Sequence, residues 1–150
     1  MLRGVGTVGV ILAAMCFVVV PTSAYSTVID FDDLTDGEVV TTQYAGLGVT
    51  FANTAALTAG VSLNDIEFPP LSGLNVAFDG GGPININFSS AMASVGGFFT
   101  YTDPLTLVAY SATNAILDST TSAFVSNLAL SGDAGSTPNE YLALSSLTGI

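Results

Sequence analysis

The chain has 150 residues, with twelve Asp and Glu against one Lys or Arg and no His, so its formal net charge is −11. The only basic residue is Arg3 and the only cysteine is Cys16, so the chain beyond residue 24 has no cation and no thiol. This composition excludes a His base, a Cys or Lys nucleophile, and thiolate or imidazole metal ligands. It also argues against nucleic acid as a partner, because nucleic acid is bound through Lys and Arg.

The first 24 residues have the layout of a secretory signal peptide. Arg3 gives a positive start, residues 5–20 are apolar, and Pro21 to Ala24 combine a helix breaker with small residues that suit a signal peptidase. The apolar run is shorter than the roughly 20 residues that a helix needs to cross a bilayer, so an uncleaved anchor is the weaker alternative. We therefore predict a signal peptide over 1–24, a single domain over 25–150 without a membrane anchor, and export to the cell surface or medium.

The remainder of the chain alternates apolar and polar residues with the period of a β-strand, between clusters of Gly, Pro, Asn and Asp. The clearest case is residues 84–88, where three apolar residues alternate with Asn85 and Asn87. The segments that fit this pattern are 28–31, 49–51, 75–78, 84–88, 95–101, 105–110, 116–119, 124–130 and 141–144. Residues 54–73 are poorly patterned and predict a long loop with a short strand. Many short strands with spaced turns predict an all-β, antiparallel β-sandwich.

Several of these segments resemble exported bacterial proteins of the PEP-CTERM type. The similarity lies in residues 29–34, in 44–51, in the Gly-rich turn at 80–84, and in the strands at 95–99 and 105–110. It implies a jelly-roll-like sandwich similar to carbohydrate-binding domains, an extracellular location and an association with exopolysaccharide.

The end of the chain departs from that family. The family's C-terminal sorting tail, with its Pro-Glu-Pro signature, helix and basic end, does not appear before Ile150. In similar sequences, a Gly-Ile such as Gly149-Ile150 leads into further strands. We therefore expect the sandwich to lack one or two C-terminal strands, which would leave a sheet edge open to self-association.

An acidic cluster follows the first predicted strand: Asp30, Asp32, Asp33, Asp36 and Glu38. Carboxylates at this density suit calcium, which takes six to eight oxygen ligands. An EF-hand is rejected, because Leu34 and Gln43 would occupy ligand positions. The resemblance implies instead a structural calcium near the first strand, with Asp32, Asp33 and Glu38 as candidate ligands. The alternative is an acidic, solvent-facing turn.

Paired carboxylates offer the one enzymatic mechanism left open by the composition. Asp65 and Glu67 are two residues apart and would share a face of a strand, as a glycoside hydrolase fragment would require. Such a spacing is common by chance, so we predict that the protein is not an enzyme and has no catalytic residues.

Sugar binding without catalysis is better supported than catalysis. Aromatic rings can stack on the apolar face of a sugar, and amides can bond its hydroxyl groups. Asn85 and Asn87 are candidate amides, although they could simply face water. The candidate aromatic residues, which a strand can equally place in the core, are Tyr44, Phe98, Phe99, Tyr101, Tyr110 and Tyr141.

The sequence thus predicts a non-enzymatic, exported surface or extracellular-matrix protein that is associated with polysaccharide. The alternative is a purely structural or self-associating surface protein with no specific ligand.

Overall fold

The computed structural model describes residues 2–3, 17–21 and 27–145, and within them the chain forms β-strands and one short 3-10 helix at Ala45–Leu47. The strands are β1 (Leu2–Arg3), β2 (Phe17–Pro21), β3 (Thr27–Ile29), β4 (Val49–Ala52), β5 (Thr54–Thr58), β6 (Asn75–Asp79), β7 (Asn85–Phe88), β8 (Met92–Phe99), β9 (Thr106–Tyr110), β10 (Ile116–Thr121) and β11 (Glu140–Ser145). The prediction of an all-β fold is confirmed. Among these residues, no helix has the length and apolar character needed to cross a membrane.

Two antiparallel sheets form the sandwich. One has five strands in the order β10-β9-β1-β7-β4, the other has four in the order β11-β8-β2-β3, and β5 and β6 form a separate hairpin. Both sheets contribute buried side chains to one apolar cluster, for example Leu144 of β11 and Ile86 of β7, each 1% exposed. The alternation along β11 shows why: Leu142 and Leu144 are buried, whereas Tyr141 and Ala143 face outward.

Three aromatic side chains pack together in one part of this core. Phe31 meets Tyr44 and Phe51 edge-on, with ring centroids 5.6 Å away in each case, and the latter two rings are 6.0 Å apart. Edge-to-face contacts at these distances are favourable beyond the burial of the rings. Phe31 has a φ of 63°, so the chain turns there and β3 ends at Ile29, before the predicted end at residue 31.

Both short N-terminal segments that the structure describes lie inside the sheets. Leu2 pairs with Ile86 of β7 and with Ala109 of β9, and β2 lies between β8 and β3. These residues belong to the segment predicted to be a cleaved leader, and the removal of that leader stays a prediction.

The predicted strand at 124–130 is wrong, because this segment is a loop: the amides of Val125 and Ser126 donate to Asp133 Oδ2, and the side chain of Asn127 fastens the loop to other parts of the backbone. Asn127 is fully buried; its Oδ1 accepts the Tyr101 amide at 2.7 Å, and its Nδ2 donates to the carbonyl of Phe99 at 2.8 Å and of Thr137 at 3.1 Å. Asn and Asp side chains compete in this way with the ladder of a sheet. The apolar residues of the segment gave it the pattern of a strand, although they pack from a loop.

The segment at 54–73 begins with the short strand that was predicted. After β5 it runs as a loop over a small second core, formed by Leu63, Phe68 and Val76, with Leu128 of the neighbouring loop packed against it. This core explains why a poorly patterned segment is nevertheless ordered.

Candidate functional site

The acidic segment at 30–38 is a series of turns in which the carboxylates accept hydrogen bonds from nearby groups. Asp32 Oδ1 accepts the amides of Leu74 at 2.9 Å and Asn75 at 3.0 Å. The neighbouring Gly73 has a φ of 55°, and a Cβ built there would lie 1.7 Å from Asp32 Oδ2. Asp32 therefore fastens this segment to the start of β6, and only glycine fits beside it.

Asp33 is bound to a buried tyrosine. The hydroxyl of Tyr44 donates to Asp33 Oδ1 at 2.5 Å. Burial of the Tyr44 ring, reinforced by this bond and by the charge of Asp33, raises the pKa of the Tyr44 phenol above its ordinary value.

Glu38 closes a local turn, and Asp36 bonds to the end of β5 and to the loop that follows it. Glu38 Oε1 accepts Gln43 Nε2 at 2.8 Å, and its Oε2 accepts the amide of Thr35 at 3.1 Å. Asp36 Oδ1 accepts the Thr58 amide at 2.8 Å and the Ser62 hydroxyl. These bonds, led by Gln43 for Glu38 and by Ser62 for Asp36, hold the pKa of both carboxyls below their usual values.

Within the described part of the chain, no group of three or more acidic side chains is placed to hold a metal ion. The three candidate ligands have separate hydrogen-bond partners: Asp32 at β6, Asp33 at Tyr44, and Glu38 at Thr35 and Gln43. The bonds to Asp32 and Asp33 use Oδ1 of each, whereas those to Glu38 use both oxygens. A calcium site at Asp32, Asp33 and Glu38 stays a prediction.

Three of the six candidate aromatic residues lie in the interior. Tyr44, Phe99 and Tyr101 are buried, and the Tyr101 hydroxyl donates to Glu140. Burial, reinforced by that bond, raises the pKa of Tyr101 to about 12. Tyr110 is half-buried on β9. The three buried rings therefore contribute little free surface for a ligand, whereas Tyr110 is partly exposed on the other sheet.

Phe98 and Tyr141 form an aromatic pair on the outer face of the four-stranded sheet. They are directly opposite each other on β8 and β11, their ring centroids are 5.0 Å apart, and the rings are tilted by 49°. Tyr141 is 53% exposed and Phe98 is half-buried. We call this pair, together with Gly96 and Ala143 on the next rung, the aromatic face.

Gly96 shapes this surface. A Cβ at Gly96 would lie 2.5 Å from the Tyr141 hydroxyl oxygen and 3.1 Å from Ala143 Cβ. The Tyr141 ring therefore leans along the sheet over the backbone of Gly96, and one face of the pair is presented to solvent. A larger residue at position 96 would push the ring away from the sheet.

The candidate amides are on the other sheet. Asn85 and Asn87 flank the buried Ile86 on β7, and Asn85 Nδ2 donates to the Pro83 carbonyl at 3.0 Å. The structure thus does not bring them together with the Phe98–Tyr141 pair.

Asp65 and Glu67 have unlike surroundings. Asp65 is exposed, whereas Glu67 Oε2 accepts the amides of Leu130 at 2.9 Å and Ser131 at 3.2 Å. These bonds, the Leu130 bond foremost, hold the pKa of Glu67 below its ordinary value. A general acid of a glycosidase needs a raised pKa. The geometry of Glu67 instead suits a structural role, in which its carboxylate holds the loop at Leu130 and Ser131.

Sequence reasoning missed two polar groups that hold the fold: Asn127, and Glu140 beneath Tyr101. Their partners are distant in sequence, so no local pattern marks them. The pairing of Phe98 with Tyr141 was equally hidden, because it depends on the register of β8 against β11.

No family model matches this sequence, and no curated protein or solved structure is significantly similar to it. The fold and its surface define the class: an all-β sandwich with an acidic turn segment and an exposed aromatic pair. The resemblance to the PEP-CTERM type stays a prediction.

Proposed function

We propose that the chain is a non-enzymatic, exported surface or matrix protein that contacts polysaccharide through the aromatic face. The observation that carries this proposal is the Phe98–Tyr141 pair, in which Tyr141 is 53% exposed and its hydroxyl lies beside Gly96. Tyrosine at such a site offers an apolar ring and a polar hydroxyl, and both match a sugar. Export rests on the predicted leader over residues 1–24.

The charge of the chain narrows the class of polysaccharide. With a net charge of −11 and a single basic residue, the protein repels acidic polymers. Neutral glycans are therefore the expected ligands, and binding to them should depend little on salt.

Replacement of the exposed ring tests this proposal. We expect Tyr141→Ala to weaken binding to a neutral polysaccharide about tenfold, which is about 1.4 kcal/mol, because Tyr141 is the more exposed ring of the pair. Tyr141→Phe keeps the ring and should retain most of the affinity. Affinity electrophoresis in gels with a panel of neutral and acidic polysaccharides measures the change.

Tyr110→Ala is the matched control, since it removes a tyrosine from the other sheet. Equal losses in the Tyr141 and Tyr110 variants would mean that binding reports general stability. No retardation of the wild-type protein by any glycan in the panel would contradict the proposal.

A structural calcium ion at Asp32, Asp33 and Glu38 belongs to the same proposal. The support is the density of carboxylates in a segment that has no Lys or Arg. In addition, the hydrogen bonds that Asp32 accepts from Leu74 and that Asp33 accepts from Tyr44 are made to Oδ1 of each carboxylate. A bound ion would stabilise the native state by about 2.7 kcal/mol at a calcium concentration one hundred times the dissociation constant.

Thermal melts with excess calcium and with chelator measure this effect. The expected result is a higher melting temperature in calcium, lost in Glu38→Gln and kept in the control Asp65→Asn. A midpoint that calcium does not move would instead assign the acidic segment to turn formation alone.

A self-associating structural protein is the second candidate, and the position of β11 favours it. β11 is the edge strand of its sheet, it is six residues long, and Glu140 is its only charged residue. Long edge strands with few charges pair with other chains. The Asp118 carboxylate, which accepts the Ser145 amide at 2.9 Å, covers one end of this edge.

A further inference from the structure

The position of β2 inside the four-stranded sheet has a consequence for the exported chain. β2 pairs antiparallel with β8 from Phe17 opposite Gly97 to Val20 opposite Ser94, and with β3 from Phe17 opposite Ile29 to Val19 opposite Thr27. The order β11-β8-β2-β3 joins β3 to the rest of the sheet through β2.

Neighbouring strands are about 4.8 Å apart, so β3 and β8 flank a gap of about 9.5 Å. Backbone groups cannot bond across that distance. If residues 1–24 are removed, as the proposed export implies, β3 and β8 are left facing a groove one strand wide. Unpaired backbone donors and acceptors on both walls favour the entry of another strand.

The groove walls are backbone edges, and no charged side chain flanks them at the positions that pair with β2. Ile29 on β3 and Val95 on β8 are each 2% exposed, and Gly96 and Gly97 on β8 are buried. The segment that occupies the groove, Phe17–Pro21, has no charge, and its pairing shifts register where it reaches Pro21. The groove thus suits a short, uncharged, extended segment.

We propose that the groove between β3 and β8 is a strand-acceptor site, which binds an uncharged extended segment of the type Phe17–Pro21 by antiparallel β-augmentation. Main-chain hydrogen bonds to both walls supply the affinity of such a complex, and the side chains at alternate positions supply its selectivity. Removal of the leader converts a strand of the precursor into a docking site of the exported protein. This inference rests on leader removal, but not on polysaccharide binding.

The experiment uses the full chain with a site-specific protease sequence inserted between residues 21 and 27. The folded protein is cut there, and a fluorescent synthetic peptide of residues 15–22 is added. The control is the same peptide with Val18→Pro, which lacks one main-chain donor of the ladder. Fluorescence anisotropy measures binding, and amide hydrogen exchange at the groove-facing amides of β8 and β3 locates it.

We expect saturable binding of the native peptide, competition by its unlabelled form, and at least tenfold weaker binding of the proline peptide. Bound peptide should slow amide exchange on both walls. As a second measurement without a cut, the full chain with Val18→Pro should bind the native peptide more tightly than the wild-type full chain, because its own strand competes less well.

Three results would overturn the proposal. One is a cut chain, separated from its own 1–21 fragment, that binds no peptide while its β8 amides stay protected, which would mean that the walls close on each other. The second is a dimer of the cut chain that excludes the peptide, since the occupant would then be a second copy. The third is loss of cooperative folding after the cut together with no peptide binding by the uncut Val18→Pro chain. None of these results depends on a glycan, so failure here is separate from failure of the proposed function.

Discussion

The side-chain amide of Asn127 fixes a loop where the sequence predicts a strand. Its side chain is fully buried and bonds to three backbone groups, of Tyr101, Phe99 and Thr137, so it joins the end of β8 to two loops. A buried amide is tolerated only when it is hydrogen-bonded in this way. The loop at 124–130 therefore keeps one conformation without the ladder of a sheet.

We expect Asn127→Ala to lower the free energy of unfolding by about 3 kcal/mol, because the buried Tyr101 amide and two carbonyls lose their partner. Denaturant unfolding followed by circular dichroism measures this loss. Asn64→Ala, at an exposed position, is the control and should change the free energy by less than about 0.5 kcal/mol. Similar stabilities of the two variants would contradict the assigned role of Asn127.

At the scale of elements, the turns of this chain are held by carboxylates that accept backbone amides. Glu38 holds the amide of Thr35, Asp36 that of Thr58, and Glu67 those of Leu130 and Ser131. These carboxylates therefore connect separate segments of the chain through hydrogen bonds to backbone amides, without a Lys or Arg partner. The acidic composition therefore has a structural use besides solubility.

The same bonds predict how stability depends on pH. The folded-state pKa values of Asp36, Glu38 and Glu67 lie below their ordinary values of 3.8, 4.5 and 4.5. Their contribution to stability is therefore present above about pH 4.5, and it is lost as the pH falls through the lower, folded-state values. The denaturant midpoint should be level above pH 5 and should drop below about pH 4.

Glu67→Gln removes one of these titrating groups and should make the acid loss shallower. Asp65→Asn removes a carboxylate from the same segment and leaves the Glu67 bonds intact, so it serves as the control. If the Gln variant and the wild-type protein lose stability over the same acid range with the same slope, Glu67 does not contribute in this way.

Elements with strict alternation were predictable from the sequence, and elements held by distant side chains were not. Residues 84–88 alternate clearly, and β7 lies within that range. Residues 124–130 are as apolar as a strand. They nevertheless form a loop, which Asn127 fastens by hydrogen bonds to residues that are distant in the sequence. For the candidate site, the sequence named Phe98 and Tyr141 among six aromatic residues, and only the register of β8 against β11 sets them apart.

At the scale of the whole molecule, both sheets use residues of the predicted leader as internal strands. β1 lies between β7 and β9 in one sheet, and β2 lies between β8 and β3 in the other. Each of these two segments thus fills the place of one strand between two others, which would not be hydrogen-bonded to each other without it. If export removes residues 1–24, as we propose, the precursor and the exported chain differ in how their sheets are completed, and not only in length.

This arrangement also sets an order of events during synthesis. β2 spans Phe17–Pro21 and its partner β8 spans Met92–Phe99, so the two cannot pair until the long stretch between them has been made. Pairings between residues far apart in sequence form slowly, because a long loop must close first. Until β8 has been made, β2 has no partner on that side, so it is available for the export step that we propose.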